Sequence, residues 1–84
     1  MTGQVICVYR VLPKSPEEFE NVKKAVETLK PQKIEEEPIA FGLKALIVTI
    51  LIPEIEGKLE EFENKISSLD GVQSAENIRT SRSL

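Results

Sequence analysis

The sequence predicts an α+β fold with the element order β-α-β-β-α-β, and three patterns carry this prediction. Residues 43–52 form a nearly continuous apolar run, which is typical of a central strand. Residues 4–12 are rich in β-branched and apolar side chains, which favours another strand. Two segments repeat the same helical spacing of apolar residues, and they start 40 residues apart, at Phe19 and at Leu59. Strands and helices are therefore expected to alternate along one short chain.

The first strand is predicted over residues 4–12. If Gln4 and Arg10 face water, period-two alternation directs every second side chain between them toward a core. The predicted inward residues are Val5, Cys7, Tyr9 and Val11.

Both helices are predicted from four apolar residues at positions i, i+3, i+7 and i+10, which form one stripe on a helix surface. The first helix begins at residues 15–18, where Ser-Pro-Glu-Glu is typical of a capping box with proline at the first helical position, and it ends at residues 30–31. The second begins near residues 56–57 and ends at residues 70–71, where glycine favours a left-handed cap. The stripes are Phe19, Val22, Val26 and Leu29 in the first helix and Leu59, Phe62, Ile66 and Leu69 in the second.

The remaining strands are predicted over residues 33–37, 43–52 and 71–80, with residues 38–42 as a hairpin connection. Two split β-α-β units, each with a right-handed crossover, give a four-stranded antiparallel sheet with both helices on one face. This arrangement is the ferredoxin-like sandwich, and residues 1–84 are expected to form a single domain of this kind.

The other face of the predicted sheet is left open, because both helices cover the same side. Ile6, Val8 and Leu12, together with Ile47 and Leu51, are expected on that open face. Such a patch marks either a contact surface for a partner or a second copy, or ordinary exposed apolar surface.

Composition excludes several kinds of chemistry. The 84 residues include no His, one Cys and four widely spaced Gly, so imidazole-based triads, CxxC sites and glycine-rich phosphate loops are excluded. The acidic residues within 35–37 and 60–63 are interpreted as solvated surfaces, because nothing in their setting would raise the pKa of a carboxyl group. We therefore expect no catalytic residue, no metal-binding residue and no cofactor.

Charge and hydropathy predict where the protein works. The net charge of −3 argues against direct binding of nucleic acid, which usually needs a basic face. The longest apolar stretch, residues 45–52, is far shorter than the about 20 residues that span a membrane, and residues 1–4 lack the features of a secretory signal. We expect a cytoplasmic protein without membrane contact.

Phe41 is the aromatic residue that belongs to no periodic stripe. It lies in the predicted turn beside Gly42. A large apolar side chain gains little at a loop tip in water, so the ring either folds back on the end of the sheet or contacts a partner.

The last eight residues are basic within an otherwise acidic chain. Residues 77–84 contain Arg79 and Arg82 and no acid. These cations belong either to a solubilising, frayed terminus or to a surface that presents a guanidinium to a phosphate or carboxylate.

Two stretches carry a resemblance to a known family. Residues 36–43, EEPIAFGL, followed by the apolar run at 45–48, resemble the signature region of the translation elongation factor 1 beta family in its short archaeal form. Residues 71–74 and 82–84 resemble the C-terminal stretch of the same family. The resemblance implies the ferredoxin-like fold, a chain that consists of the guanine nucleotide exchange domain alone, and exchange of GDP for GTP on elongation factor 1 alpha during protein biosynthesis.

The resemblance also implies which residues contact the GTPase and promote exchange. Phe41, with Ala40 and Gly42, matches the turn that contacts the GTPase. Arg82 aligns with the basic residue, lysine in the eukaryotic pattern, that enters the magnesium and phosphate region of the GTPase, and Arg79 is the second candidate. The nucleotide is expected to bind only to the GTPase, which is the partner.

A different class of function fits the same fold. The alternative is a ferredoxin-like regulatory or small-ligand-binding module that acts as a dimer through its open sheet face. Self-association without affinity for the GTPase would favour it.

Overall fold

The computed structural model describes residues 3–83, and its elements follow the predicted order. Four strands and two helices are present in that range, and a short 3₁₀-helical turn precedes the first helix. The strands are antiparallel and form one sheet, in which the first and third strands are central, the second lies beside the third and the fourth lies beside the first. The predicted ferredoxin-like α+β fold is therefore confirmed. The elements are β1 (Gln4–Pro13), the 3₁₀ turn (Pro16–Glu18), α1 (Phe19–Glu27), β2 (Lys33–Pro38), β3 (Lys44–Pro53), α2 (Lys58–Ser67) and β4 (Val72–Ser83).

The register of the strands gives the sheet two distinct ends. At one end Gln4 of β1 pairs with Pro53 of β3 and with Ser83 of β4, and we call this the C-terminal end. At the opposite end lies the connection between β2 and β3, residues 39–43, and we call this the turn end. The principal extents of the molecule are 45 × 20 × 17 Å. Since strands of ten to twelve residues are longer than four strands are wide, the long axis runs along the strands.

The core lies between the sheet and the two helices. Cys7, Tyr9 and Val11 of β1 are buried there, as their alternation predicts, and Val5 packs against them. The Tyr9 hydroxyl donates a hydrogen bond to Glu63 Oε2 at 3.0 Å, and burial raises the pKa of this phenol well above its usual range. Val22 and Val26 of α1 and Ile66 of α2 belong to this same core, so both helices cover the same face, as predicted.

The second helix is less buried than its apolar stripe predicts. Ile66 is fully buried, and the ring of Phe62 packs against Tyr9 with their centroids 5.4 Å apart. Leu59, however, is exposed. The prediction that it faces the core is wrong: Leu59 lies in the first turn of α2, whereas Ile66, which is buried, lies near the other end of this helix.

The first helix differs from its prediction at both ends. The Ser15 side chain makes no capping hydrogen bond, and the Glu18 amide donates to the Ser15 carbonyl at 3.1 Å, which closes a 3₁₀ turn instead. The α-helical segment ends at Glu27. The next three amides donate to carbonyls three residues earlier, and Lys30, with φ of 55°, reverses the chain before Pro31.

Gly71 joins α2 to β4 at a crowded position, which leads to a stability prediction. Its φ is 86°, and an added Cβ would clash with Cγ2 of the fully buried Val22 at 3.1 Å and would displace Glu18 Oε2, the end of a flexible side chain, from 2.6 Å. Gly71→Ala is therefore expected to lower the free energy of unfolding by roughly 2–3 kcal/mol in urea denaturation. Gly57→Ala is the matched control, because Gly57 has nearly the same φ, 85°, with no atom near the added Cβ. An equal loss of unfolding free energy in the two variants would contradict a clash between the added Cβ and Val22.

The open face is present as predicted. A groove of about 600 Å³ crosses it, and its floor includes Ile6, Val8 and Ile47. Leu51 pairs with Ile6 and is half-buried on this side, and Leu12 is also half-buried.

Candidate functional site

The turn end presents an aromatic ring on an unusual backbone. The Leu43 amide donates to the Ala40 carbonyl at 2.9 Å and closes a tight turn around Phe41 and Gly42. Both central residues have positive φ, 56° for Phe41 and 77° for Gly42. Glycine adopts this conformation freely, whereas a left-handed phenylalanine costs roughly 1–2 kcal/mol. The turn therefore tolerates strain to hold a phenylalanine at its tip.

The side chain of Phe41 is fully exposed. It does not fold back on the sheet, so the first of the two alternatives for this ring is excluded. Ala40 and Gly42 on either side are exposed as well, and so is Ile39. The tip of the turn is thus an apolar projection available to another molecule.

The C-terminal end presents a cation. Arg82 pairs with Val5 as a regular residue of β4, so the interpretation of this segment as a frayed terminus is wrong for residues 77–83. The Arg82 side chain is 72% exposed, and its Nη2 lies 3.2 Å from Glu54 Oε2. The Glu54 amide in turn donates to the Gly3 carbonyl at 2.9 Å, which anchors the acid beside the strand. Residue 84 lies outside the described residues.

A β-bulge lies in β4 directly before Arg79, and both candidate arginines follow it. Val8 pairs with Arg79 and Tyr9 pairs with Asn77, so the intervening Ile78 has no partner on β1. The Asn77 side-chain amide donates to the Arg79 carbonyl at 3.3 Å, and the Thr80 hydroxyl donates to Asn77 Oδ1 at 2.9 Å. These bonds tie the bulge together.

The register beyond the bulge places Arg79 and Arg82 on opposite faces of the sheet. Cross-strand partners share a face. Arg79 therefore lies on the open face with Val8 and lines the groove, whereas Arg82 lies on the helical side with Val5. One binding site cannot receive both guanidinium groups in the same orientation.

The predicted contact residues are not brought together. Phe41 lies at the turn end and Arg82 at the C-terminal end, and β3 runs between these ends from Lys44 to Pro53. Its ten residues span about 30 Å at 3.3 Å per residue. A single partner must therefore be contacted at two separate places if both residues act on it.

The predicted acidic runs form surface ion pairs. Glu36 accepts a hydrogen bond from Lys23 Nζ at 3.1 Å, and this bond with a second from Lys44 holds the pKa of that carboxyl below its usual value. Glu37 accepts from Arg10 Nε at 3.1 Å. Within residues 3–83 no three His, Cys, Asp or Glu side chains cluster closely enough to hold a metal ion.

Comparison with known proteins assigns the chain to a family. The family described as the EF-1 guanine nucleotide exchange domain matches residues 6–82, which include both Phe41 and Arg82. The chain belongs to this family. The family that the sequence resembles, and its function of guanine nucleotide exchange, are thus confirmed.

Curated relatives of this exchange domain carry the name elongation factor 1-beta and come mostly from archaea. The protein from Methanoregula boonei is 39% identical over 88% of this chain and 91% of its own length. Those from Methanothermobacter thermautotrophicus and Desulfurococcus amylolyticus are 39% and 42% identical, each over 88% of this chain and 90% of the relative. The similarity therefore extends over nearly the whole length of each relative.

The sequence interpretation did not single out Glu54, which contacts Arg82, or the exposed residues Ile55 and Leu59 that follow it in the chain. Glu54 and Ile55 follow directly after β3 and belong to no stripe, and Leu59 was assigned to the core. An isolated apolar residue among loop acids, as in the Pro-Glu-Ile-Glu-Gly sequence of residues 53–57, is the signal that would have found Ile55. Phe41 was identified by a related signal, a large apolar side chain in a turn outside every periodic stripe.

Neither helix described within residues 3–83 is long and apolar enough to cross a lipid bilayer.

Proposed function

We propose that this exchange domain, extending over residues 1–84, promotes replacement of GDP by GTP on elongation factor 1 alpha through two contacts at opposite ends of its sheet. Residues 40–42 bind the GTPase at the turn end, and Arg82 reaches its magnesium and phosphate region at the C-terminal end. The observation that carries this proposal is the fully exposed ring of Phe41 on a strained turn within the family match. Strained residues that persist in a fold cluster at functional sites.

Arg82 is the preferred exchange cation, and Arg79 is the second candidate. Arg82 is highly exposed, and its one ion pair within the described residues is with Glu54. Exposed ion pairs are worth about 0.2–1 kcal/mol, so Arg82 leaves Glu54 for a partner at small cost. Arg79 faces the groove and would act only if the partner also covered the open face.

The mechanism requires no bond chemistry in this protein. The GTPase alone binds the nucleotide, and the exchange domain binds the nucleotide-free GTPase more tightly than the loaded one. Linkage then demands that it weaken nucleotide binding by the same factor. A guanidinium at the magnesium site competes with the ion that bridges phosphate oxygens and GTPase ligands. A thousandfold weakening corresponds to about 4 kcal/mol.

Competition between the exchange domain and nucleotide tests this proposal. Immobilised exchange domain is expected to retain the nucleotide-free GTPase and to release it when excess GDP and magnesium are added, because the two binding events are antagonistic. Catalytic amounts of the domain are also expected to speed release of a fluorescent GDP analogue. Binding that excess GDP and magnesium leave unchanged would contradict the proposal.

Chelation of magnesium provides the control for the mechanism. Without the ion, the GTPase loses GDP faster unaided, so the acceleration by the exchange domain is expected to shrink. The same acceleration with and without magnesium would exclude action at the magnesium site while leaving exchange itself intact.

A further inference from the structure

The C-terminal end carries an exposed apolar pair to which the proposed contacts give no role. Ile55 is 49% exposed and Leu59 is 39% exposed. Within residues 3–83 five large apolar side chains are exposed, and four of them lie at the two ends of the sheet. Ile39 and Phe41 lie at the turn end, and Ile55 and Leu59 at the C-terminal end. The end that presents Arg82 thus has its own apolar surface.

The backbone around Ile55 is ordered by local hydrogen bonds. The Ile55 amide donates to the Pro53 carbonyl at 2.8 Å, and the Ile55 carbonyl accepts from the Lys58 amide at 3.0 Å. Gly57, with φ of 85°, then starts α2. Leu59 follows as the second residue of that helix. Ile55 is therefore held exposed by its own loop.

This apolar pair is connected to Arg82 through one residue. Glu54 precedes Ile55 in the chain, and its carboxylate lies 3.2 Å from Arg82 Nη2. The exposed residue Ile55 therefore directly follows the residue that holds Arg82.

The charges around the pair restrict what can bind there. Glu56 and Glu60 flank Ile55 and Leu59 in the chain, and neither forms an ion pair within the described residues, whereas Lys58, which precedes Leu59, pairs with Glu61. An acidic border repels nucleic acid and anionic lipid. It also opposes a second copy of this end, because like charges would face each other across the interface. The complementary surface is that of a protein with an apolar patch bordered by Lys or Arg.

We propose that Ile55 and Leu59, together with the Glu54–Arg82 pair, form a docking surface for the part of the GTPase that receives Arg82. This inference rests on the proposed function, since the GTPase is the protein to which Arg82 is directed. Burial of the two side chains anchors the C-terminal end, and the acids 56 and 60 meet a basic border on the GTPase. The docking surface thereby orients Arg82 toward the nucleotide site.

The test is the variant Ile55→Ala/Leu59→Ala with Ile78→Ala as its matched control. Ile78 is exposed to the same degree, 40%, but lies in the open-face groove. The double variant is expected to bind the nucleotide-free GTPase at least tenfold more weakly, about 1.4 kcal/mol, and to slow GDP release in proportion. Ile78→Ala is expected to behave as the wild type. Thermal unfolding checks that all variants fold. If the double variant disturbs α2, the single variant Ile55→Ala, which changes only the loop, is used in its place.

A charge-reversal variant supplies a second, independent measurement. Glu56→Lys/Glu60→Lys is expected to slow association with the GTPase and to weaken its dependence on salt, because the basic border then meets cations.

The outcomes separate this inference from the function on which it rests. The docking surface would be overturned if Ile55→Ala/Leu59→Ala bound the GTPase with wild-type affinity while Arg82→Ala still lost exchange. The proposed function would then remain. An equal loss in Ile78→Ala would overturn it as well, because the contact would then lie on the open face. Absence of exchange by the wild-type protein would instead overturn the proposed function.

Discussion

Replacement of Phe41 by alanine is expected to slow GDP release from the GTPase at least tenfold while leaving the free energy of unfolding unchanged. The ring is fully exposed in the isolated domain, so it contributes nothing to the core. Burying a phenylalanine against a partner contributes roughly 1.5–3 kcal/mol, which corresponds to a loss of about tenfold to a hundredfold when the ring is removed. Release of a fluorescent GDP analogue under catalytic amounts of each variant measures the effect.

Phe41→Gly separates the ring from the conformation of the turn. Glycine removes the same ring and also relieves the positive φ of 56°, so this variant is expected to gain roughly 1 kcal/mol in stability yet lose as much exchange as Phe41→Ala. If both variants promoted exchange at the wild-type rate, the assignment of residues 40–42 to the proposed interface would be contradicted.

Arg82→Ala is expected to slow exchange at least tenfold, and Arg79→Ala to leave it near the wild-type rate. Both arginines follow the bulge in β4 and lie three residues apart, so they face opposite sides of the same strand. The pair therefore tests position and not merely positive charge. Arg82→Lys retains the charge and is expected to keep more exchange activity than Arg82→Ala, with the remaining difference reporting the planar guanidinium. The same nucleotide-release assay serves for all three variants.

Substitution is a sharper test here than truncation. Deletion of residues 82–84 is also expected to slow exchange at least tenfold, but it removes the pairing of Arg82 with Val5 and so shortens β4. If instead Arg79→Ala slowed exchange and Arg82→Ala did not, the exchange cation would be Arg79 on the open face. Unchanged rates in both would leave the basic C-terminal segment without a role in exchange.

Strand alternation and helical spacing predicted most of the fold, because both patterns arise from backbone geometry over a few neighbouring residues. Alternation in β1 identified Cys7, Tyr9 and Val11 as core residues, and helical spacing identified Val22 and Val26 in α1. The same patterns were wrong at the helix ends. Hydrogen bonds to carbonyls three residues earlier shorten α1, and they depend on how the chain must turn to enter β2.

The candidate residues themselves could also be found in the chain. Phe41 stood outside every stripe, and Arg79 and Arg82 were cations without acidic neighbours. Their spatial relation could not be found in this way, because it depends on pairing between β1 and β4, which lie about sixty residues apart. The register shift at Ile78 decides which of the two arginines lies on the open face, because it pairs Arg79 with Val8 and Arg82 with Val5.

Composition and periodicity were thus sufficient for the element order, for the core faces of β1 and α1 and for an aromatic residue in the turn between β2 and β3. Three further features depend on the folded molecule: the exposure of the Phe41 ring, the pairing of β4 through Arg82, which gives the two arginines opposite orientations, and the exposure of Ile55 and Leu59. The physical reason is that periodicity arises from backbone geometry repeated every two or 3.6 residues. Register, bulges and the margin of a helical layer arise instead from contacts between segments that are distant in the chain.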